Sequence, residues 1–284
     1  MPTPSSDQPF VTIVTVSLNA ADTIGDTLAS VAGQRAPFVV EHVCVDGGSR
    51  DATRALIDAQ AATNPRLVRV YEPDRGLYDA MNKGLARARG EYVLFLNADD
   101  FLIGPDALAR VFGELGPASP DKPGLLLADV VMGRLDQFGL WRNRRVPRWL
   151  PWLPRLGGHP PHQGQFVRRE LLEAVGGFEA GARIAADVFQ YYRLVHELRP
   201  TIRLARRPVA FMRMGGASNA SLRHYRRGNA ETFHYLQRLK SAPAAALAVG
   251  VKLLQKVFEH RLGTVRRSAV YRFEQPGSHA DGAV

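Results

Sequence analysis

The sequence predicts an α/β protein, a sheet of short buried strands with helices on both faces. Three observations predict it. β-branched runs alternate with helical patterns over residues 10–105. Each run closes on a polar or glycine-bearing turn, the usual punctuation between strand and helix. With 45% hydrophobic and 23% charged residues the composition is that of a folded globular chain, and 284 residues suffice for one large domain or two small ones.

Residues 10–16 are β-branched and short, and they end at the polar Ser17-Leu18-Asn19. Residues 22–34 then space Ile24, Leu28 and Val31 along one helical face, with Asp22 or Thr23 in place to cap it. The unit repeats as a strand over 39–45, the turn Asp46-Gly47-Gly48-Ser49 and a helix over 51–62. It begins again with a strand over 67–71, Gly76 and a helix over 78–88, and a fourth strand over 92–96 ends in Asn97-Ala98-Asp99-Asp100. Such alternation implies parallel strands joined by right-handed crossovers, with ligands gathered outside the carboxyl ends of the strands. Asn19, Asp46, the segment from Glu72 to Asp74 and the segment from Asn97 to Asp100 all fall at that edge. After Pro117 the pattern loosens: 125–131 read as strand, 141–161 as irregular, 168–175 and 185–198 as helix, and 202–214 as strand. A helical pair around 225–239 and 244–262 follows, and the tail from Gln275 is expected to be disordered.

Lys plus Arg number 37 against 27 Asp plus Glu, a formal net charge of +10. This favours an anionic contact, whether nucleic acid, lipid headgroup or phosphorylated metabolite, without choosing among them. The one cysteine, Cys44, excludes an internal disulfide and lies in an apolar run, which fits a reducing compartment. The first residues lack the basic and apolar stretches of a signal peptide, and no run approaches the roughly 18–20 apolar residues of a membrane span. A cytoplasmic location is expected, with the inner face of a membrane as a further option.

Adjacent carboxylates in Asn97-Ala98-Asp99-Asp100 could bind a hard divalent cation while leaving positions for phosphate oxygens; the plain alternative is a helix-capping turn. Asp46 suits hydrogen bonding to a base or ribose, and Gly47-Gly48 would let backbone amides approach a ligand; the alternative is an ordinary turn aspartate. The segment from Glu72 to Gly84 is the densest signal, with acids and the potential anion-binding Arg75 and Lys83 around a strand-to-helix turn.

Together, Val45-Asp46-Gly47-Gly48-Ser49-Arg50-Asp51-Ala52-Thr53, Tyr78-Asp79-Ala80-Met81-Asn82-Lys83-Gly84 and Phe95-Leu96-Asn97-Ala98-Asp99-Asp100 closely resemble family 2 glycosyltransferases. The similarity covers residues 10–105 and continues more weakly to 218. It implies a GT-A type fold, a Rossmann-like mixed sheet flanked by helices with a helical C-terminal extension. It also implies a nucleotide-sugar donor, inversion without processivity, and Mn2+ or Mg2+. The division it suggests is a flexible N-terminus at 1–9 and a transferase domain at 10–218, split into a donor half (10–105) and an acceptor and catalytic-base half (106–218). A helical extension at 219–274 and the tail at 275–284 complete it.

The resemblance makes Asn19, Asp46, Gly47, Asp74, Arg75, Lys83, Asn97 and Asp99 donor-binding candidates. Asn97 stands where many members have the first acid of a metal-binding Asp-x-Asp motif, which leaves Asp99 and Asp100 as the metal candidates with no choice between them. Gly176-Gly177-Phe178-Glu179 leads to Asp187 and resembles the segment that presents the family's catalytic base, although Ala186 replaces the first acid of the usual pair. An acceptor hydroxyl is a poor nucleophile unless its proton leaves as the new bond forms, and a carboxylate does that work. The alternative for Asp187 is an acid placed in the first turn of a helix.

His162, Gln163 and Trp149 are acceptor-side candidates. A histidine held structurally in the proline-rich loop is an equal reading of His162, and no further ligands are spaced for zinc around His159 and His162. Tryptophans and arginines interleave over 141–152, suiting a membrane interface, an anionic lipid-linked acceptor or a solvated acceptor-side loop. The stripe Leu247, Val251, Leu254, Val257 and Phe258 is expected to pack in the core rather than lie on a membrane. The partners expected are a nucleoside-diphosphate sugar and a glycan or lipid-linked acceptor, in surface polysaccharide or glycolipid assembly, with possible peripheral membrane contact and no nucleic acid. Nucleotidyl transfer is the alternative enzyme class, and a basic nucleic-acid-binding or membrane-surface module without catalysis is the alternative outside enzymology.

Overall fold

In the computed structural model the chain starts the sheet with β1 (Val11–Ser17), which is buried over its whole length. The residues described are 8–113, 115–133, 141–144, 159–179, 181–182, 184–213, 222–238, 241, 243–251, 254 and 264–265. The tail at 275–284, most of the expected N-terminal arm and Trp149 lie outside them. β1 faces two cores, with Val14 and Val16 packed on one side and Val11 and Ile13 on the other. That is why its sequence is an unbroken apolar run rather than an alternation.

Three strand–helix units follow: α1 (Ile24–Ala32), β2 (Val40–Asp46), α2 (Thr53–Thr63), β3 (Leu67–Tyr71), α3 (Leu77–Arg87) and β4 (Tyr92–Phe95). These strands lie in the order β4-β1-β2-β3 and all pair in parallel, as the alternation implied. Thr23 occupies the cap position of α1 but makes no side-chain cap hydrogen bond, so the capping expected there is absent.

Beyond β4 the sheet turns mixed. β5 (Phe101–Leu102) and α4 (Ala107–Phe112) lead to β6 (Leu125–Gly133) and β7 (Trp141–Arg144). A 3-10 turn, His162–Gly164, runs straight into β8 (Gln165–Arg168) and α5 (Arg169–Ala174). β8 inserts between β4 and β6 and is antiparallel to both. β9 (Ile202–Arg213) pairs in parallel with β6 and antiparallel with β5. β7 corrects the sequence expectation of irregular chain at 141–161, β8 adds a strand where none was expected, and the helix expected over 168–175 is found at Arg169–Ala174. β7 and β8 have four residues each, too short for a period of two to declare itself.

α6 (Ala186–Arg193) continues into a π-helical turn, Leu194–Leu198, and packs on the same core face as α3. The C-terminal extension comprises α7 (Leu222–Leu236), helical residues 243–251 and the short edge strand β10 (Thr264–Val265). Leu236, Ala245 and Ala248 pack against Ala185, Val188 and Tyr192. Here the expected apolar stripe is corrected: the alanines face inward, while Leu247 and Leu254 are 61% and 59% exposed. Val257 and Phe258 lie outside the described residues. Among the described residues no helix is long and apolar enough to cross a membrane.

α3 positions much of the site, and Gly84 lets it approach the sheet. A Cβ there would stand 2.3 Å from Val14 Cγ1 and 3.3 Å from Val45 Cγ2. Gly84→Ala should therefore lower stability by about 1–2 kcal/mol, because so close a contact puts the overpacking cost toward the top of its usual range of about 1–3 kcal/mol and helix propensity returns about 1 kcal/mol. Chemical denaturation checks this, and a variant as stable as the parent contradicts the packing described.

Candidate active site

The strand ends place acids where the alternation put them, and local turns then aim each one. Asp46 closes β2, fully buried. Its Oδ1 accepts from the amides of Gly48 (3.2 Å) and Ser49 (3.0 Å) and from Arg54 Nε (2.7 Å), while its Oδ2 accepts from the hydroxyls of Ser49 and, at 3.3 Å, Ser17. Burial alone would push this carboxyl up, but the Ser49, Arg54 and amide hydrogen bonds together hold it below its ordinary value. Asp46 thus organises the 46–54 turn through its own oxygens. Asn19 joins that turn from β1's side: its amide donates to Ser49 Oγ (2.8 Å) and its Oδ1 accepts from Arg50 N (2.9 Å). Its φ of 51° lies in the left-handed region that asparagine tolerates better than most residues.

Gly47 and Asp74 meet directly. A Cβ on Gly47 would stand 1.8 Å from Asp74 Oδ2, so only glycine admits the carboxylate against this loop. Asp74 Oδ1 accepts from Gly76 N (2.9 Å) at the start of α3. Arg75 is exposed, its guanidinium 3.5 Å from Asp79, and Lys83 Nζ donates to Pro73 O and lies 3.3 Å from Asp79 Oδ2. Both cations therefore stand on the outer side of the turn that carries Asp74.

Asp100 is 1% exposed. Its Oδ2 accepts from Gln163 Nε2 (2.7 Å), its Oδ1 accepts from Arg213 N (3.1 Å), and its backbone oxygen accepts from Thr27 Oγ1 (2.6 Å). Burial, then the charge of Asp99, pushes Asp100 up to about 7. Burial likewise raises Asp99, which is the more open of the two. Beside them Asn97 Oδ1 is buried with no hydrogen-bond partner.

This set fits a hard divalent cation. The donors are oxygens, one is orphaned, and the raised carboxylates would regain their charge beside a cation. Asp99 and Asn97 would hold it, because the oxygens of Asp100 are engaged by Gln163 and Arg213. Among the described residues no three His, Cys, Asp or Glu side chains form a metal-binding group, so a ligand's oxygens would complete the coordination.

Asp187 lies in the first turn of α6. The single hydroxyl proton of Tyr78 is shared between Ile184 O (2.7 Å) and Asp187 Oδ1 (3.2 Å); His162 Nδ1 lies 3.6 Å and His159 Nε2 3.9 Å from Asp187 Oδ2. The approach to Asp187 is fixed from α3 as well. Asn82 Nδ2 donates to Phe178 O and its Oδ1 accepts from Phe178 N, both at 2.8 Å. The 3-10 turn bridges the two acidic regions, with His162 beside Asp187 and Gln163 on Asp100. His162 also acts electrostatically on Asp99 and Asp100.

The structure thus brings together Asp99, Asp100, His162, Gln163 and Asp187, and joins Asp46, Gly47 and Asp74 through the turns at the head of α3. Gln163, expected to face an acceptor, is 2% exposed and directs its amide to Asp100. Tyr78, Asn82, Arg54 and Arg213 were missed by sequence reasoning. Tyr78 and Asn82 lay inside a quoted motif, and their i, i+4 spacing could have flagged them as one helix face. Arg213 carried no local signal: it reaches Asp100 only through the pairing of β9.

Comparison with known proteins follows the same outline. The family described as Glycosyl transferase family 2 matches residues 12–121. A PGL/p-HBAD biosynthesis glycosyltransferase of Mycobacterium bovis is 34% identical over 188 residues, 63% of this chain and 67% of that protein. An uncharacterized glycosyltransferase of Mycobacterium tuberculosis is also 34% identical, over 63% of this chain; the chain spans 66% of that relative's own length. Among solved structures, a mannosyltransferase from Pyrobaculum calidifontis in complex with GDP-Man and Mn2+ aligns with a TM-score of 0.55 at 21% identity. The alignment covers 93% of this chain and 79% of that one, and it supports the mixed, helix-flanked GT-A sheet.

The buried acidic pair gives stability a pH dependence. Asp100 is raised to about 7, so the folded chain keeps a proton that the unfolded chain has lost. Its contribution is complete below the ordinary carboxylate value and declines as pH rises toward that figure. Thermal unfolding between about pH 5 and about pH 8 should show the decline, Asp100→Asn should flatten it, and Mn2+ or Mg2+ should restore Tm at the upper end. An undiminished slope in Asp100→Asn contradicts the assignment.

Proposed function

The chain belongs to glycosyltransferase family 2, and from that premise we propose that it is an inverting, non-processive glycosyltransferase that moves a sugar from a nucleoside-diphosphate sugar to an acceptor hydroxyl. The observation that carries the reading is the 3-10 turn His162–Gly164, which holds Asp187 on one side and the Asp99–Asp100 loop on the other. A base and a diphosphate-binding loop are needed within reach of one anomeric carbon, and this turn links the two.

In the proposed reaction the acceptor oxygen attacks the anomeric carbon, the bond from that carbon to the diphosphate oxygen breaks, and Asp187 takes the hydroxyl proton. Inversion follows from a single displacement, without a covalent sugar–enzyme intermediate. The Asp46 turn, with Asn19, Gly47 and Asp74, would hold the nucleoside; Arg75 and Lys83, engaged with Asp79 on the outer side of that turn, take no part in this reading. A divalent ion, when bound, supplies charge stabilisation to the departing diphosphate. His162 would orient the acceptor, its buried Nε2 having no hydrogen-bond partner.

Support for the donor class comes from the mannosyltransferase neighbour, which binds GDP-Man with Mn2+. Support for glycolipid or surface polysaccharide assembly comes from the relative named for PGL/p-HBAD biosynthesis. The outward leucines Leu247 and Leu254, on a chain of net charge +10, favour an acceptor presented at an anionic membrane face.

A panel of nucleotide sugars with Mn2+ and with Mg2+, read by thermal stabilisation and by nucleoside-diphosphate release, should identify the donor. The product should carry the inverted anomeric configuration; retention, or release of pyrophosphate, rejects the reading. Asp187→Asn should slow transfer by about 10²–10⁴-fold while donor-induced stabilisation persists. Transfer at the parental rate removes Asp187 from the role of base.

A further inference from the structure

We propose that Tyr78 is a positioning residue for the base: its hydroxyl, held between Ile184 O and Asp187 Oδ1, sets the orientation and basicity of the Asp187 carboxylate. The inference rests on the assignment of Asp187 as base and adds the means by which α3 governs it.

Three features of the structure support it. Tyr78 is 5% exposed, and its ring stacks on Phe178 with centroids 5.5 Å apart, so the ring holds the hydroxyl oxygen in place between its two acceptors. Asn82 lies one helical turn further along α3 and bonds the backbone of Phe178 in both directions; a Cβ on Gly177 would stand 2.4 Å from Asn82 Oδ1. The segment that leads to Asp187 is therefore clamped on one face of α3, at a separation set by glycine. Finally, burial, then the charge of Asp187, raises Tyr78 well above its ordinary value, which keeps the hydroxyl a donor at every working pH. A donor on a carboxylate favours the ionised form and lowers its pKa.

Among the described residues, His162 and His159 from the segment before β8 also face Asp187. Glu231 of α7 accepts from the amides of Ile184 (2.9 Å) and Ala185 (3.3 Å) just before it. All are retained when only the Tyr78 hydroxyl is altered, so a comparison at constant histidine titration isolates its effect. The outer side of the same helix carries Asp79 with Arg75 and Lys83. α3 thereby links the donor turn to the base.

The test uses the full chain with its identified donor and acceptor, and compares the parent, Tyr78→Phe, Asp187→Asn and the double variant. Tyr78→Phe retains the stacked ring. It should lower kcat about tenfold, leave the donor KM unchanged and move the acid limb of kcat/KM to higher pH, because the carboxylate has lost a donor. In the Asp187→Asn background it should cost nothing further. A ring-fluorinated tyrosine at position 78, a stronger donor of nearly the same shape, should move the acid limb to lower pH, and it serves where Tyr78→Phe fails to fold. An unmoved acid limb in both substitutions, or a loss that adds to that of Asp187→Asn, overturns the positioning role alone. Parental activity in Asp187→Asn overturns the base assignment itself, a distinct outcome.

Discussion

The organisation of the site depends on the seating of the turn His162–Gly164 against β6. A Cβ on Gly164 would stand 2.5 Å from Ala128 O and 2.9 Å from Val130 Cγ2, so the turn lies flush on the strand only because that position has no side chain. From this seat Gln163 reaches Asp100 and His162 reaches Asp187. The chain places those two carboxylates far apart; β8, which grows directly out of the turn, pairs with β4 and β6 and brings their surroundings together.

Electrostatics at the two strand ends differ, although both carry aspartates. Asp46 is surrounded by donors from its own turn and from Arg54, and hydrogen bonding overcomes the penalty of burial. At Asp99 and Asp100 burial prevails, and the like charge of the neighbour adds to it at Asp100. A turn already neutralised suits a structural or nucleoside-facing part, whereas a raised carboxylate pair beside an orphaned asparagine oxygen suits a cation. The same residue type thus serves opposite ends of the proposed chemistry through its surroundings.

α3 has two working faces because its length of eleven residues gives three turns to share between sheet and solvent. Tyr78, Met81 and Leu85 enter the core with Val14, Val45 and Phe95, and Asn82 holds the loop before α6. Asp79 and Lys83 pair on the outer side. The close fit at Gly84 transmits the position of the sheet to both faces.

Strand ends, the parallel half of the sheet and the acids at its edge were legible in the sequence because local periodicity and turn chemistry act over a few residues. Asp46 and Asp99 could be singled out for the same reason, whereas Asp187 was singled out by the resemblance of its segment to a known family. Long-range pairing was not legible. β7 and β8 are too short to announce themselves, the contact of Arg213 with Asp100 spans 113 positions, and that of Tyr78 with Asp187 spans 109. The direction of the C-terminal leucines was likewise decided by packing, since Ala245 and Ala248 are the residues set against α6 while Leu247 and Leu254 face outward. What the amino-acid order determined by itself was which groups stand at strand ends; which of them touch, and which remain ionised, was decided by tertiary structure, because contact and desolvation exist only once distant segments are packed.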